Sequence, residues 1–220
     1  MNKYLVEGIG TFIFVIMAAG SVLANAQTNG QLGLVGVALA HALALTAVIY
    51  AVGHISGAHL NPAITVAQTI TGHIQPLVAL GYIFAQLLGA VAAAVLLKFM
   101  FAGVSAQVYL GDTQLNPGVT PLVGVIVETV FTFILTWVVY GAGLAKKATH
   151  GFGPLSIGMT LGAAVLVAGN LTMASLNPAR SFGPAFISMH WTNHFVYWIG
   201  PMLGAIISGV LYHFVVEKAK

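Results

Sequence analysis

Two stretches decide the reading: GAHLNPAIT at residues 57–65 and ASLNPARSF at residues 174–182. Each holds an Asn-Pro-Ala triplet, Asn61-Pro62-Ala63 and Asn177-Pro178-Ala179, and each triplet opens a short apolar run, about 61–70 and 177–188. At ~1.5 Å per residue, a helix of that length reaches only about halfway across a ~30 Å hydrocarbon core. In both, Asn is placed to cap a helix and Pro to take its first position, where the missing N–H does no harm. A third Asn-Pro, Asn116-Pro117-Gly118, has Gly after it and no apolar run beyond, so it reads as a turn.

The rest of the chain is membrane-length. Apolar segments fall at about 4–24, 33–52, 77–100, 119–141, 154–170 and 194–216. The 220 residues are 59% hydrophobic and 5% charged, with a mean hydropathy of +0.97. Soluble domains carry roughly 25% charged residues, so this chain cannot clothe a water-exposed surface. The expected fold class is an all-α membrane protein: one channel-like domain over 1–220, with six spans and two re-entrant half-helices. Lys3 followed by an apolar run imitates a signal peptide, but Glu7 interrupts that run and more spans follow; it reads as a retained first helix.

Composition excludes several functions. Seven Lys and Arg form no basic stripe, so nucleic acid is not a partner. Without cysteine, no disulfide or thiolate metal site can form, and no histidine pair has the spacing of a metal site. No nucleophile–base pair or cofactor loop is visible, so neither enzyme activity nor a cofactor is expected. An adhesive or scaffolding role would need more surface than the longest linker, 101–118, supplies.

The two halves repeat each other, about 1–108 and 119–220. Glu7, Thr11, Phe12 and Ile13 match Glu128, Thr132, Phe133 and Ile134. Tyr82, Gln86, Gly89 and Ala90 match Tyr197, Pro201, Gly204 and Ala205 at the same offsets. Three spans per copy turn the second copy over, so the repeat is inverted. Matched broken helices in such halves point to a path at the bilayer midplane. Lys3, Lys146, Lys147, Lys218 and Lys220 fall on one side of a six-span arrangement, which puts both termini in the cytoplasm. Short tails and the absence of targeting signals favour a prokaryotic plasma membrane.

Two half-helices meeting at their N-termini converge their positive dipole ends. Asn61 and Asn177 can cap through oxygen and still donate to a passing solute through nitrogen. That field disfavours cations, and the forced orientation of water hinders a proton relay. Arg180 is the only arginine and directly follows the second triplet; at that depth it must face protein or water. Glu7 and Glu128 are the only acids within spans. They are placed to accept bonds from re-entrant N–H groups; the alternative is a proton-carrying pair in a coupled secondary transporter.

The paired triplets, SGAHLNPA, NPARSFGPA and the ExxxTF repeats resemble the aquaporin (major intrinsic protein) family over almost the whole chain. The resemblance implies six tilted helices, two half-helices and a homotetramer with one pore per subunit. It also implies an outer constriction, which falls here on His41, Val165, Ala174 and Arg180. On the second and fifth spans, His41 and Val165 each sit one turn outward of Leu45 and Leu161. With Phe14 and Leu135 from the repeat, these leucines would line an apolar pore wall; ordinary packing is the other reading. The resemblance further implies backbone carbonyls facing that wall, which would come here from Gly57, Ala58 and His59, and from Met173, Ala174 and Ser175. His59 is also placed to brace its loop, while His150 reads as a solvated loop residue.

Glycerol channels of the family carry aspartate after the arginine; Ser181 here, with Ala185 and Tyr197-Trp198, is of the water-channel type. Histidine on the second span and a small aliphatic on the fifth resemble the plant tonoplast subfamily, with a wider opening. Some of its members add a histidine from the third loop, but 101–118 has none. The expected activity is passive water permeation that excludes protons and ions, with small neutral solutes such as ammonia or hydrogen peroxide also passing.

Overall fold

The computed structural model describes residues 2–145 and 148–217. Among them run α1 (Lys3–Gln27), α2 (Gly33–Ser56), α3 (Pro62–Ile70), α4 (Pro76–Met100), α5 (Pro121–Val138), α6 (Gly153–Thr172), α7 (Pro178–Ser188) and α8 (Val196–Tyr212). The helices α5 and α8 continue as wider, π-type turns through Val139–Leu144 and His213–Glu217. The helices α1, α2, α4, α5, α6 and α8, the last and α5 with their π-type turns, are long and apolar enough to span a bilayer. The nine-residue α3 and the eleven-residue α7 are too short to do so. Of the orientation-setting lysines, Lys146, Lys147, Lys218 and Lys220 lie outside the described residues.

Local chemistry sets the ends of these elements. Asn2 caps α1 through the Tyr4 and Leu5 amides, and Thr120 caps α5 through that of Val123. Proline opens α3, α4, α5 and α7 at their first positions. Gly57 ends α2 in the left-handed region, where glycine carries no steric penalty.

Packing follows the repeat. The helix α1 lies on α4 as α5 lies on α8, while α2 and α6 pack on each other. The half-helices cross over: α3 packs on α8, and α7 on α4. Two matched glycines allow the close crossings. A Cβ on Gly89 would collide with the Gly8 carbonyl of α1, and one on Gly204 with the Thr129 carbonyl of α5. Each collision falls one residue after the matched glutamate.

The interior is made of small and apolar side chains, among them Val15, Ala18, Leu23, Ala93 and Ala168. Large apolar residues such as Leu43, Leu77, Phe84, Leu122 and Val167 face outward. In water that surface would be a liability; in a bilayer the hydrocarbon solvates it.

Candidate functional site

The site is built where α3 and α7 begin. Asn61 takes up an extended backbone and its Oδ1 accepts from the Ala63 amide at 2.9 Å. Asn177 does the same, accepting from Ala179 at 3.0 Å and Arg180 at 3.3 Å. Each amide nitrogen then reaches into the opposite repeat. Asn61 Nδ2 donates to the Leu176 carbonyl, and Asn177 Nδ2 to the Leu60 carbonyl, both at 2.8 Å. The two asparagine tips are therefore stitched together through backbone, and one N–H on each remains for another acceptor. Pro62, Ala63, Pro178 and Ala179 are buried around this junction.

The approach to each tip is a left-handed zigzag. Gly57, Ala58 and Leu60 have positive φ, and so do Met173, Ala174 and Leu176 at the matching positions. For the non-glycine residues this costs ~1–2 kcal/mol each, so something must hold the loops. The glutamates do. Glu7 Oε1 accepts from the His59 amide at 2.9 Å and its Oε2 from Leu60 at 2.7 Å, with Ser56 Oγ and Gln86 Nε2 donating as well. Glu128 accepts from the Ser175 amide at 3.0 Å, Leu176 at 2.8 Å and Thr172 Oγ1 at 2.7 Å. Both carboxylates are fully buried. His59 bonds Thr65 Oγ1 at 3.1 Å and meets the Tyr82 ring edge-on.

A cavity of about 670 Å³ leads to this junction and is lined by both Asn61 and Asn177. Phe14, Leu45, Leu135 and Leu161 form part of its wall. Gly57, Ala58, His59 and Ser175 line it too, whereas Met173 and Ala174 do not. His150, expected to be a solvated loop residue, also lines it, as do His54 and Tyr50, and the Tyr50 hydroxyl donates to the Gly151 carbonyl at 2.6 Å.

The four residues expected to form the outer constriction are not among those lining that cavity, and all are buried. Val165 and Ala174 belong to the same packed cluster as Phe14, Leu45, Leu135 and Leu161. The His41 ring meets Phe14 edge-on, its Nδ1 bonds the Val37 carbonyl at 2.9 Å, and its Nε2 has no protein partner. The Arg180 charge acts on His41. Arg180 Nη1 donates to the Gly111 carbonyl at 2.6 Å, while its Nε and Nη2 are unpartnered. Buried polar atoms without a protein partner are uncommon; these three are not alone, with others on Thr11, Gln86, Thr132, Thr136, His194, Tyr197 and Ser208.

The linker 101–118 departs from a plain connection. The Asn116-Pro117-Gly118 stretch does form a turn, closed by the Val119 amide on the Asn116 carbonyl at 3.0 Å. Upstream of it, Leu110, Gly111, Asp112 and Thr113 are buried against α7. Thr113 Oγ1 bonds Ser181 Oγ at 2.6 Å, and Asp112 Oδ2 bonds His190 Nδ1 at 3.0 Å. Burial pushes the Asp112 carboxyl up to about 6, with the His190 bond and the Arg180 charge pulling it back down. Sequence reasoning missed this contact because Arg180 is held by a backbone carbonyl, which every residue has.

Tied half-helices at mid-depth in a six-span bundle, beside a cavity, define an integral, multi-pass membrane channel. The sequence comparisons agree. The model of the major intrinsic protein family matches residues 1–212, and the chain belongs to that family, the aquaporins. It is 43% identical to aquaporin TIP4-1 of Zea mays, with 99% of this chain and 88% of that protein covered. It is 40% identical to the probable aquaporin TIP3-2 of Arabidopsis thaliana, covering 96% and 82%. The crystal structure of the aquaglyceroporin from Plasmodium falciparum superposes with a TM-score of 0.85 over 99% of this chain and 97% of that one. At 23% identity that likeness shows the fold alone. The relatives bear out the resemblance to the tonoplast subfamily and do not support a plasma-membrane location.

Proposed function

We propose that this protein is a passive water channel that excludes protons and ions. The observation that carries this reading is the reciprocal tie between Asn61 and Leu176 and between Asn177 and Leu60. It sets two helix N-termini face to face beside a cavity, each with an amide hydrogen to spare. A water bound there by its oxygen points its hydrogens away in both directions, which breaks a proton wire. The converging helix dipoles and the Arg180 charge repel cations. Phe14, Leu45, Leu135 and Leu161 offer no bonds along one wall, so water is held by few partners and released quickly.

His41, Val165, Ala174 and Arg180 form the outer constriction in this reading. Two small apolar side chains leave room opposite the histidine and arginine, which suits ammonia, hydrogen peroxide or another small neutral solute as well as water. The pore belongs to a single subunit of a homotetramer, with both termini in the cytoplasm.

A proton-coupled transporter using Glu7 and Glu128 is disfavoured, because loop amides and hydroxyls occupy the oxygens of both carboxylates. The deciding experiment is stopped-flow light scattering of proteoliposomes under sucrose, glycerol, urea and ammonia gradients. A pore gives non-saturating flux that follows the osmotic or concentration gradient alone. Saturable flux that depends on a proton gradient would overturn the reading.

A further inference from the structure

Three consecutive residues of the 101–118 linker, Tyr109, Leu110 and Gly111, have φ of 45°, 59° and 71°. A left-handed run of that length is unfavourable for an L-chain and persists only where its surroundings hold it. Its last carbonyl, that of Gly111, is the one acceptor bonded to the Arg180 guanidinium among the described residues.

The holding contacts come from His190, in the loop that follows α7. Asp112 Oδ1 accepts from the Thr113 amide at 2.7 Å, and its Oδ2 meets His190 Nδ1 at 3.0 Å. The Tyr109 ring stacks on His190 at 4.0 Å between centroids, with 17° between planes. His190 thus grips the left-handed run at its first residue, Tyr109, by its face, and at Asp112, just after it, by its edge. Gly111, Asp112 and Thr113 in turn bond Arg180, His190 and Ser181.

We infer that Asp112 and His190 are positioning residues for the constriction: their pair fixes the turn whose Gly111 carbonyl aims the Arg180 guanidinium. The inference rests on the reading that Arg180 lines the outer constriction. The other groups acting on this pair are few. Arg180 and Tyr197 interact electrostatically with Asp112, and His194 with His190. With its carboxyl at about 6, Asp112 carries its charge at neutral pH and loses it on mild acidification. Protonation removes the charge-assisted part of the His190 bond and the negative charge near Arg180. The guanidinium is then less firmly aimed, and discrimination between water and larger neutral solutes falls.

The test is the urea-to-water and glycerol-to-water permeability ratio in proteoliposomes between about pH 7.5 and about pH 5, a range that brackets the Asp112 titration. Wild type, Asp112→Asn, His190→Asn and Arg180→Val are compared. The ratio in wild type rises on acidification by roughly two- to tenfold, the size of coupling a positioning contact supplies. In Asp112→Asn it is already raised at neutral pH and no longer responds to acid. His190→Asn, at a half-buried site, does the same and covers the case in which Asp112→Asn fails to fold. If Arg180→Val changes the ratio while both other variants keep the wild-type ratio and pH profile, the inference is overturned and the constriction stands. If Arg180→Val itself changes nothing, the constriction reading falls and takes this inference with it.

Discussion

Asn61 donates its side-chain amide to the Leu176 carbonyl at 2.8 Å, and that carbonyl belongs to the residue just before Asn177. The second half-helix returns the bond through Leu60 at the same distance. In the proposed channel the tie serves structure and passage together, because each amide keeps one hydrogen not used across the junction.

Asn61→Asp separates those roles. Aspartate caps α3 as well as asparagine does, but it has no N–H for Leu176 and sets a carboxylate against a carbonyl. The expected loss is ~1–3 kcal/mol from the unpaired, buried acceptor. Asn177→Asp is expected to match it at Leu60. A lowered unfolding midpoint in detergent, with reduced water flux per folded protein, checks this. Wild-type values for both variants would show the tie to be incidental.

The two buried glutamates differ in a way that stability can read. Glu7 takes bonds from Ser56, His59, Leu60 and Gln86. At the position matching Gln86 the second repeat has Pro201, so Glu128 lacks that fourth donor. Glutamine at either place turns an NH₂ toward backbone N–H groups, a mismatch of about 3 kcal/mol or more where burial is complete. Glu7→Gln is therefore expected to cost more stability than Glu128→Gln. Folded variants should conduct water without any proton-gradient dependence, and a loss of gradient coupling on mutation would revive the transporter alternative.

Gly89 and Gly204 were legible in the sequence as matched positions, but their purpose was not. Each lets one helix backbone touch another, at the Gly8 and Thr129 carbonyls. Gly89→Ala and Gly204→Ala should each destabilise the protein by ~1–3 kcal/mol or more, since backbone cannot move aside as a side chain can. Gly103→Ala is the control, because a Cβ there meets nothing within 4 Å. Equal thermal midpoints for all three would remove the argument.

That case marks where sequence reading stops. The spans, the half-helices and the repeat follow from hydropathy and from side chains with unmistakable chemistry, such as the asparagines and Glu7. The linker around Gly111 did not, because its contacts run through carbonyls and a left-handed turn that two non-glycine residues, Tyr109 and Leu110, share. His190 carries no signal either until Asp112 and Tyr109 are seen against it. Residue type specifies what a side chain can do, and only the fold says what a backbone oxygen faces.

Val165 tests the proposed constriction. It is buried on α6, one turn from Leu161 of the cavity wall. Tryptophan there should cut water permeability about tenfold or more by filling the opening, with helix content unchanged, because steric occlusion of a narrow pore leaves no bypass. Full retention of flux in a folded Val165→Trp would place the residue against helices or lipid instead.

Arg180 tests its chemistry. Its guanidinium is held at one nitrogen by Gly111, leaving Nε and Nη2 free to donate. Arg180→Val removes a fixed positive charge and several donors while widening the opening. Urea and glycerol permeability relative to water should rise about tenfold, the effect of ~1.4 kcal/mol on the barrier. Proton and cation leak should become measurable, since the charge proposed to repel them at the constriction is gone. A Lys substitution keeps the charge but loses the planar fork, so it should preserve cation exclusion and relax the choice among neutral solutes. If Val and Lys behave alike toward cations, charge is not what excludes them here, and the barrier lies with the helix dipoles at Asn61 and Asn177.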